Sequence, residues 1–199
     1  MGPLADSKQP QPATEDEIAR LLAAASAGDQ TAWREIVNRY SRRVFALAKS
    51  RCRRTDLAEE VTQSVFATVA VKLGSGGYAE RGRFESWLFR VAMNRVRDEM
   101  RRLKRHADPT DPTTLGGVTA PTAVESDLEP QMLTRLRLAM ASLPDMDREI
   151  IELRHHGQMS FREIADMLSE PLGTLLARHH RALRKLKQLM GDDEKAGES

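Results

Sequence analysis

The sequence predicts an all-α protein made of two small helical domains joined by a flexible linker, and three observations predict it. Apolar residues recur at three- and four-residue spacing through both halves of the chain. Runs of Val, Ile, Thr or Tyr at period two, the signature of half-buried strands, are absent. Residues 107–125 (ADPTDPTTLGGVTAPTAVE) combine Pro, Gly and Thr without helical periodicity and read as a tether between the halves. With 199 residues, 40% hydrophobic, 30% charged and only 5% aromatic, the chain has material for one or two small cores and little for a large one.

The first domain is expected over residues 14–106. Thr14 and Glu17 have capping-box spacing, and Gly28 is placed to end the helix they start. A second helix from about Gln30 puts Trp33, Ile36, Val37, Tyr40, Val44 and Leu47 on one face. Asp56 and Glu59 are positioned to cap a third, whose Leu57, Val61, Val65, Val69 and Leu73 form a narrow stripe. After a glycine-rich loop at 74–82, a fourth helix from about Phe84 to Leu103 would bury Trp87, Leu88, Val91, Ala92 and Val96.

The second domain is expected over residues 126–190. Ser126 and Glu129 would cap a helix carrying Met132, Leu136, Met140 and Leu143, which Pro144 breaks. A short helix through Ile150, Ile151 and Leu153 follows and ends at Gly157. Ser160 and Glu163 form the strongest capping box in the chain, opening a helix with Phe161, Ile164, Ala165 and Leu168 inward. Pro171 pushes Glu170 out of the α region and turns the chain into a last helix reaching about Met190.

Composition narrows the function classes. Cys52 is the one cysteine, so no intramolecular disulfide can form, and a reducing, cytoplasmic setting is expected. No apolar run approaches membrane-spanning length, the N-terminus lacks a signal-peptide pattern, and residues 1–13 read as a disordered extension. A net charge of +2 hides strong segregation. Asn94–His106 holds six Arg or Lys against two acids, and Leu176–Met190 holds five basic residues and no acid. Residues 107–131 carry five acids and no Lys or Arg, and residues 191–199 form an acidic tail. Basic blocks flanking an acidic segment are a partner signature and not a fold signature.

Residues 160–187 carry the sharpest signal. In the last helix Leu172, Leu175, Leu176, His179, Leu183 and Leu186 fall on one face, and Thr174, Ala177, Arg181, Arg184, Lys185 and Gln188 on the other, with Arg178 on the flank. A capped short helix, a tight turn and a helix with an apolar back and basic front is a helix-turn-helix, whose second helix enters the major groove of duplex DNA. A second basic stripe has Asn94, Arg97 and Arg101 at i, i+3 and i+7, beside Tyr78, Phe84, Trp87 and Phe89. Basic residues near aromatics suit single-stranded nucleic acid, although Phe84 and Trp87 fit a core better than a base platform. The polar face of Asp56, Glu59, Glu60 and Gln63 fits a solvated helix or a protein-docking surface.

These residues resemble a known family. Leu143-Pro144, the run REIIELRHHGQMSFREIADML from Arg148, and Gly173-Thr174 look like region 4 of bacterial σ factors. DLAEEVTQSVF from Asp56 is similar to region 2.2, and RFESWLFRVAMNRVRDEMRR from Arg83 to regions 2.3 and 2.4. Their order, separated only by a linker, is that of the extracytoplasmic-function (ECF, group 4) σ factors of the σ-70 family, over about residues 15–105 and 126–190.

The resemblance implies roles. Asp56, Glu59, Glu60 and Gln63 would dock on the β′ clamp helices of core RNA polymerase, and region 4 would sit near the β flap. Asn94, Arg97 and Arg101 would recognise the −10 element as it melts. Thr174, Arg178, Arg181, Arg184 and Lys185 would read the −35 element as duplex. The acidic linker would thread toward the polymerase cleft, and an anti-σ factor would cover both domains. Three positions depart from the family pattern: Ser64 stands where an acid is frequent, and Leu176-Ala177 where Lys-Ser is usual.

Other classes fit less well. Adjacent histidines on a helix point about 100° apart, so neither His155-His156 nor His179-His180 is a natural metal pair, and no Cys or carboxylate cluster completes four ligands. No nucleophile-with-base motif or P-loop is present, so no enzyme activity, metal or cofactor is expected. A helix-turn-helix regulator with an unrelated sensor domain is the nearer alternative. Residues 56–105 argue against it, because a sensor has no reason to carry the region 2 motifs.

Overall fold

A computed structural model describes residues 14–79, 82–106 and 130–196, and all of its regular structure over those residues is helical. The expected N-terminal extension, the linker at 107–125 and the Ser126–Glu129 cap lie outside the described residues.

The first bundle comprises α1 (Glu15–Ser26), α2 (Gln30–Cys52), α3 (Thr55–Gly74) and α4 (Phe84–His106). Local chemistry sets most of these ends. The Thr14 hydroxyl accepts from the Glu17 amide at 3.3 Å, and the Asp29 carboxylate accepts from Thr31 and Ala32 at 2.7 and 3.2 Å, so each fills orphan donors of a first turn. Gly28, at φ 93°, takes the left-handed conformation that separates α1 from α2. The expected cap of α3 is different: Arg54 precedes the helix without a side-chain cap, and Asp56 lies inside the first turn, where it accepts from Arg54 instead. The stripe Leu57, Val61, Val65, Val69 and Leu73 is buried as its spacing predicts, against Ile36, Tyr40, Val44 and Leu47 of α2 and Leu88, Ala92 and Val96 of α4. Each buried Val, Leu or Ile among them contributes about 1.5–3 kcal/mol. Phe89 and Met93, absent from the expected core, are fully buried.

The second bundle comprises α5 (Pro130–Ala141), α6 (Asp145–His155), α7 (Phe161–Leu168) and α8 (Leu172–Ala196). Leu143, Ile151 and Ala182 form a small core with Met140, Leu186 and Leu189. Met132, expected in that core, is exposed. α8 passes its expected end near Met190 and reaches Ala196, because a single helical glycine such as Gly191 costs only about 1 kcal/mol and does not by itself stop a helix.

The two bundles pack on each other. α7 lies against α4 and α6 against α2, so Ile150, Leu153, Met159, Ile164 and Met167 share one buried cluster with Phe89 and Met93. Polar contacts cross the same boundary. Arg43 donates to the Gly157 carbonyl, Ser86 to the Glu163 carbonyl at 3.2 Å, and Arg90 to the Met167 carbonyl at 2.7 Å.

Candidate nucleic-acid interface

The helix-turn-helix is built from α7, the turn and α8. Its capping box is complete: the Ser160 hydroxyl accepts from the Glu163 amide at 3.2 Å, and the Glu163 carboxylate accepts from the Ser160 amide at 2.7 Å. Ser169 closes α7 in the left-handed region at φ 57°, and the Glu170 amide reaches back to the Ala165 carbonyl at 3.0 Å. Pro171 then presents its carbonyl to the Leu175 amide at 3.1 Å, starting α8.

Only part of the expected apolar back of α8 is covered. Leu175 and Ala182 are fully buried, and His179 and Leu186 are half-buried, whereas Leu172, Leu176 and Leu183 are 40%, 42% and 39% exposed. The apolar stripe is wider than the groove that α5, α6 and α7 offer, so the helix buries one edge and leaves the other in solvent. His179 sits edge-on to Phe161, with centroids 4.9 Å apart. Burial pushes its pKa down, and His155, Arg154 and His180 add to the effect.

On the opposite side Thr174, Arg178, Arg181 and Lys185 follow i, i+4, i+7 and i+11 spacing and so share a face. Thr174, Arg181, Arg184 and Lys185 are exposed. Arg178 is half-buried and donates to Glu170 in the turn at 2.7 Å, while Arg184 lies 3.3 Å from the His180 ring.

The second stripe divides. Arg101 is 74% exposed, with Asp98 3.6 Å away, and Asn94 is exposed. Arg97 instead turns to the other bundle, where it bonds both Glu149 oxygens at 2.5 and 2.6 Å and also donates to Asn94 at 3.1 Å. Beside this stripe, Tyr78 and Trp87 lie 4.5 Å apart and half-buried, with Phe84 and Phe89 inside the core.

On α3, Glu59, Glu60 and Gln63 are exposed along one face with Asp56. Arg54 beside Asp56 holds that carboxyl below its ordinary value. Arg102 of α4 stands 4.0 Å from Glu60.

The bundle interface adds residues that periodicity did not single out. Glu149 and Glu152 are 2% and 1% exposed, and Glu152 pairs with Arg51 and lies 3.6 Å from Arg148. Burial pushes the Glu152 carboxyl up, against the opposing pull of Arg51. Their one signal in the sequence was position: both acids sit among Ile150, Ile151 and Leu153 on a short helix. Among the described residues no three His, Cys, Asp or Glu side chains gather into a metal site, and no helix is long and apolar enough to cross a membrane.

Two four-helix units, one ending in a helix-turn-helix with a basic front, have the architecture of a duplex-DNA reader, and family comparison specifies the class. Residues 36–106 match sigma-70 region 2, and residues 139–188 match sigma-70 region 4. The chain is 30% identical over 175 residues to the ECF RNA polymerase sigma factor RpoE of Cereibacter sphaeroides, covering 88% of this chain and 95% of that protein. It is 27% identical over 185 residues to the ECF sigma factor SigW of Bacillus subtilis, covering 88% and 97%. Among solved structures, CnrH in complex with the cytosolic domain of CnrY superposes with a TM-score of 0.65 at 26% identity, covering 88% of this chain and 99% of that one. The chain belongs to the ECF RNA polymerase sigma factors of the sigma-70 family, which act in transcription initiation.

Proposed function

We propose that this chain is a group 4 σ factor that binds core RNA polymerase in the cytoplasm and reads a two-part promoter. The observation that carries the reading is the pairing, in one chain, of an exposed basic helix-turn-helix face with a region 2 bundle bearing an exposed acidic helix face. Asp56, Glu59, Glu60 and Gln63 dock on the β′ clamp helices through three carboxylates and an amide. Asn94, Arg97 and Arg101 engage the −10 element as its strands separate, and Thr174, Arg178, Arg181, Arg184 and Lys185 engage the −35 duplex, with region 4 beside the β flap. The linker at 107–125 follows the polymerase cleft.

An anti-σ factor is the proposed restraint, by likeness to the family and to CnrH, which was solved with another protein's cytosolic domain bound. The role is that of a specificity factor, with the polymerase supplying the catalysis.

Reconstituted transcription tests the reading. Core polymerase plus this protein should start transcripts at a cognate promoter, and neither should alone. Failure to bind core polymerase at moderate salt would end the proposal. The double substitution Glu59→Lys with Glu60→Lys should weaken core binding, and unchanged affinity would remove the clamp assignment.

A further inference from the structure

Burial fixes which way α8 faces. Leu175 and Ala182, one heptad apart, are fully buried and point into the region 4 bundle. At about 100° per residue, Gly173, Ala177, His180, Arg181 and Arg184 fall in one arc of about 100° on the far side, bordered by Thr174 and Lys185. His180 is exposed near the middle of that arc, with exposed Ala177 before it and exposed Arg184 after it. The positions nearer the start of the helix are small. Ala177 ends at its Cβ, and a Cβ added at Gly173 would meet nothing within 4 Å. Neither packing nor a positive φ calls for glycine at 173, and a bare backbone there lets an outside surface come close. His180 is the first long polar side chain that such a surface meets along the middle of the arc.

Arg184 sets what His180 offers. Its Nη2 lies 3.3 Å from His180 Nδ1, one helical turn away. A guanidinium carries only donors, so Nδ1 accepts, and in the neutral ring the single proton then sits on Nε2. The ring edge remote from Cβ is thereby a donor. In the major groove guanine sets two acceptors, N7 and O6, side by side. Adenine places an amino donor beside its N7, cytosine presents an amino donor, and thymine has a methyl group beside O4. A single N–H aimed into the groove therefore favours guanine.

We propose that His180 determines specificity in the −35 contact: its Nε2–H selects guanine at one position, and Arg184 is the positioning residue that keeps the ring in this donor form. Calling the duplex a −35 element rests on the σ-factor reading above, whereas the selection of guanine by His180 does not.

The test is a library of duplexes randomised over the −35 region, bound by polymerase holoenzyme and separately by the full chain alone, with the retained DNA sequenced. The parent should enrich guanine at one position. His180→Ala should lower that enrichment about three- to tenfold, the factor that one neutral hydrogen bond supplies, and leave the other positions as they were. His180→Gln, whose amide matches adenine N7 and N6, should move the preference at the same position to adenine. Arg184→Met keeps an extended side chain without the donor. It should weaken the same guanine preference besides lowering affinity for all sequences. Both residues are exposed, so thermal midpoints should stay near the parent value, which separates lost recognition from lost fold. A profile unchanged in His180→Ala, or a loss spread evenly over all sequences, overturns base reading by His180. An unchanged guanine preference in Arg184→Met overturns the positioning role. A chain that selects guanine through His180 on its own, yet never binds core polymerase, overturns the σ-factor reading and leaves this one standing. If neither holoenzyme nor the chain alone selects any duplex, both fall.

Discussion

Arg43 of α2 donates two hydrogen bonds, at 2.8 and 2.6 Å, to the carbonyl oxygen of Gly157 just beyond α6, while also gripping Glu85 at 2.7 Å. One guanidinium thus ties the region 2 bundle to the turn that leads into the helix-turn-helix. Its face also lies over the Phe89 ring, 4.9 Å from the centroid, where a cation is favoured.

Gly157 is required at that point by close approach. A Cβ there would stand 2.6 Å from the Leu153 carbonyl oxygen and 3.2 Å from the Leu153 Cα, and neither backbone atom can swing away. Gly157→Ala should therefore destabilise the chain by about 1–3 kcal/mol, the usual range for overpacking. Urea unfolding at constant slope measures it, and an unchanged midpoint would mean that the turn relaxes freely.

The Ser160–Glu163 box supplies a second expectation. Ser160→Ala removes the acceptor for the Glu163 amide and should cost about 1 kcal/mol, whereas Ser160→Gly should cost only a few tenths. The order of the two thermal midpoints is the readout. Equal losses would indicate that packing of α7, and not its cap, dominates there.

Features set by neighbours in the chain were legible in the sequence, and features set by distant elements were not. The cap at Ser160, the breaks at Pro144 and Pro171 and the stripe from Leu57 to Leu73 depend on residues within a turn or two of each other. They appear where spacing put them. Leu172, Leu176 and Leu183 stand exposed on the apolar side of α8, because periodicity reports that a helix has such a side, not how much of it a neighbour covers. Arg97 shared a basic stripe with Asn94 and Arg101, yet its partner Glu149 lies 52 positions along the chain. No local pattern announces such a pairing. The side-chain positions proposed for polymerase and promoter follow from family likeness, and two of them, Arg97 and Arg178, are half-buried and paired with carboxylates.

His179 should make the helix-turn-helix sensitive to acid. Its folded pKa lies below the ordinary value near 6.5, chiefly through burial, so the unfolded chain binds the proton more readily. Stability from this group is complete above about pH 6.5 and is lost as pH falls from there through the folded value. Thermal midpoints measured downward from pH 7.5 should show the loss, and His179→Leu should flatten that part of the curve. An identical slope in the variant would assign the effect to other groups.

Arg181 and Lys185 share the exposed face of α8 but differ in what they can recognise. A guanidinium offers paired donors that match guanine edges, whereas an ammonium acts as a point charge suited to phosphate. Arg181→Ala should cost about 1–3 kcal/mol at a preferred −35 duplex and relax selectivity there. Lys185→Ala should weaken all sequences alike and lower the salt slope by about one unit. Arg178 is restrained by its 2.7 Å bond to Glu170 and is less free to follow either target. Binding of polymerase holoenzyme to duplexes varied at the −35 positions, repeated across salt concentrations, separates these outcomes. A uniform loss for Arg181→Ala would make it a phosphate contact and move the base-reading role to its neighbours on the same face.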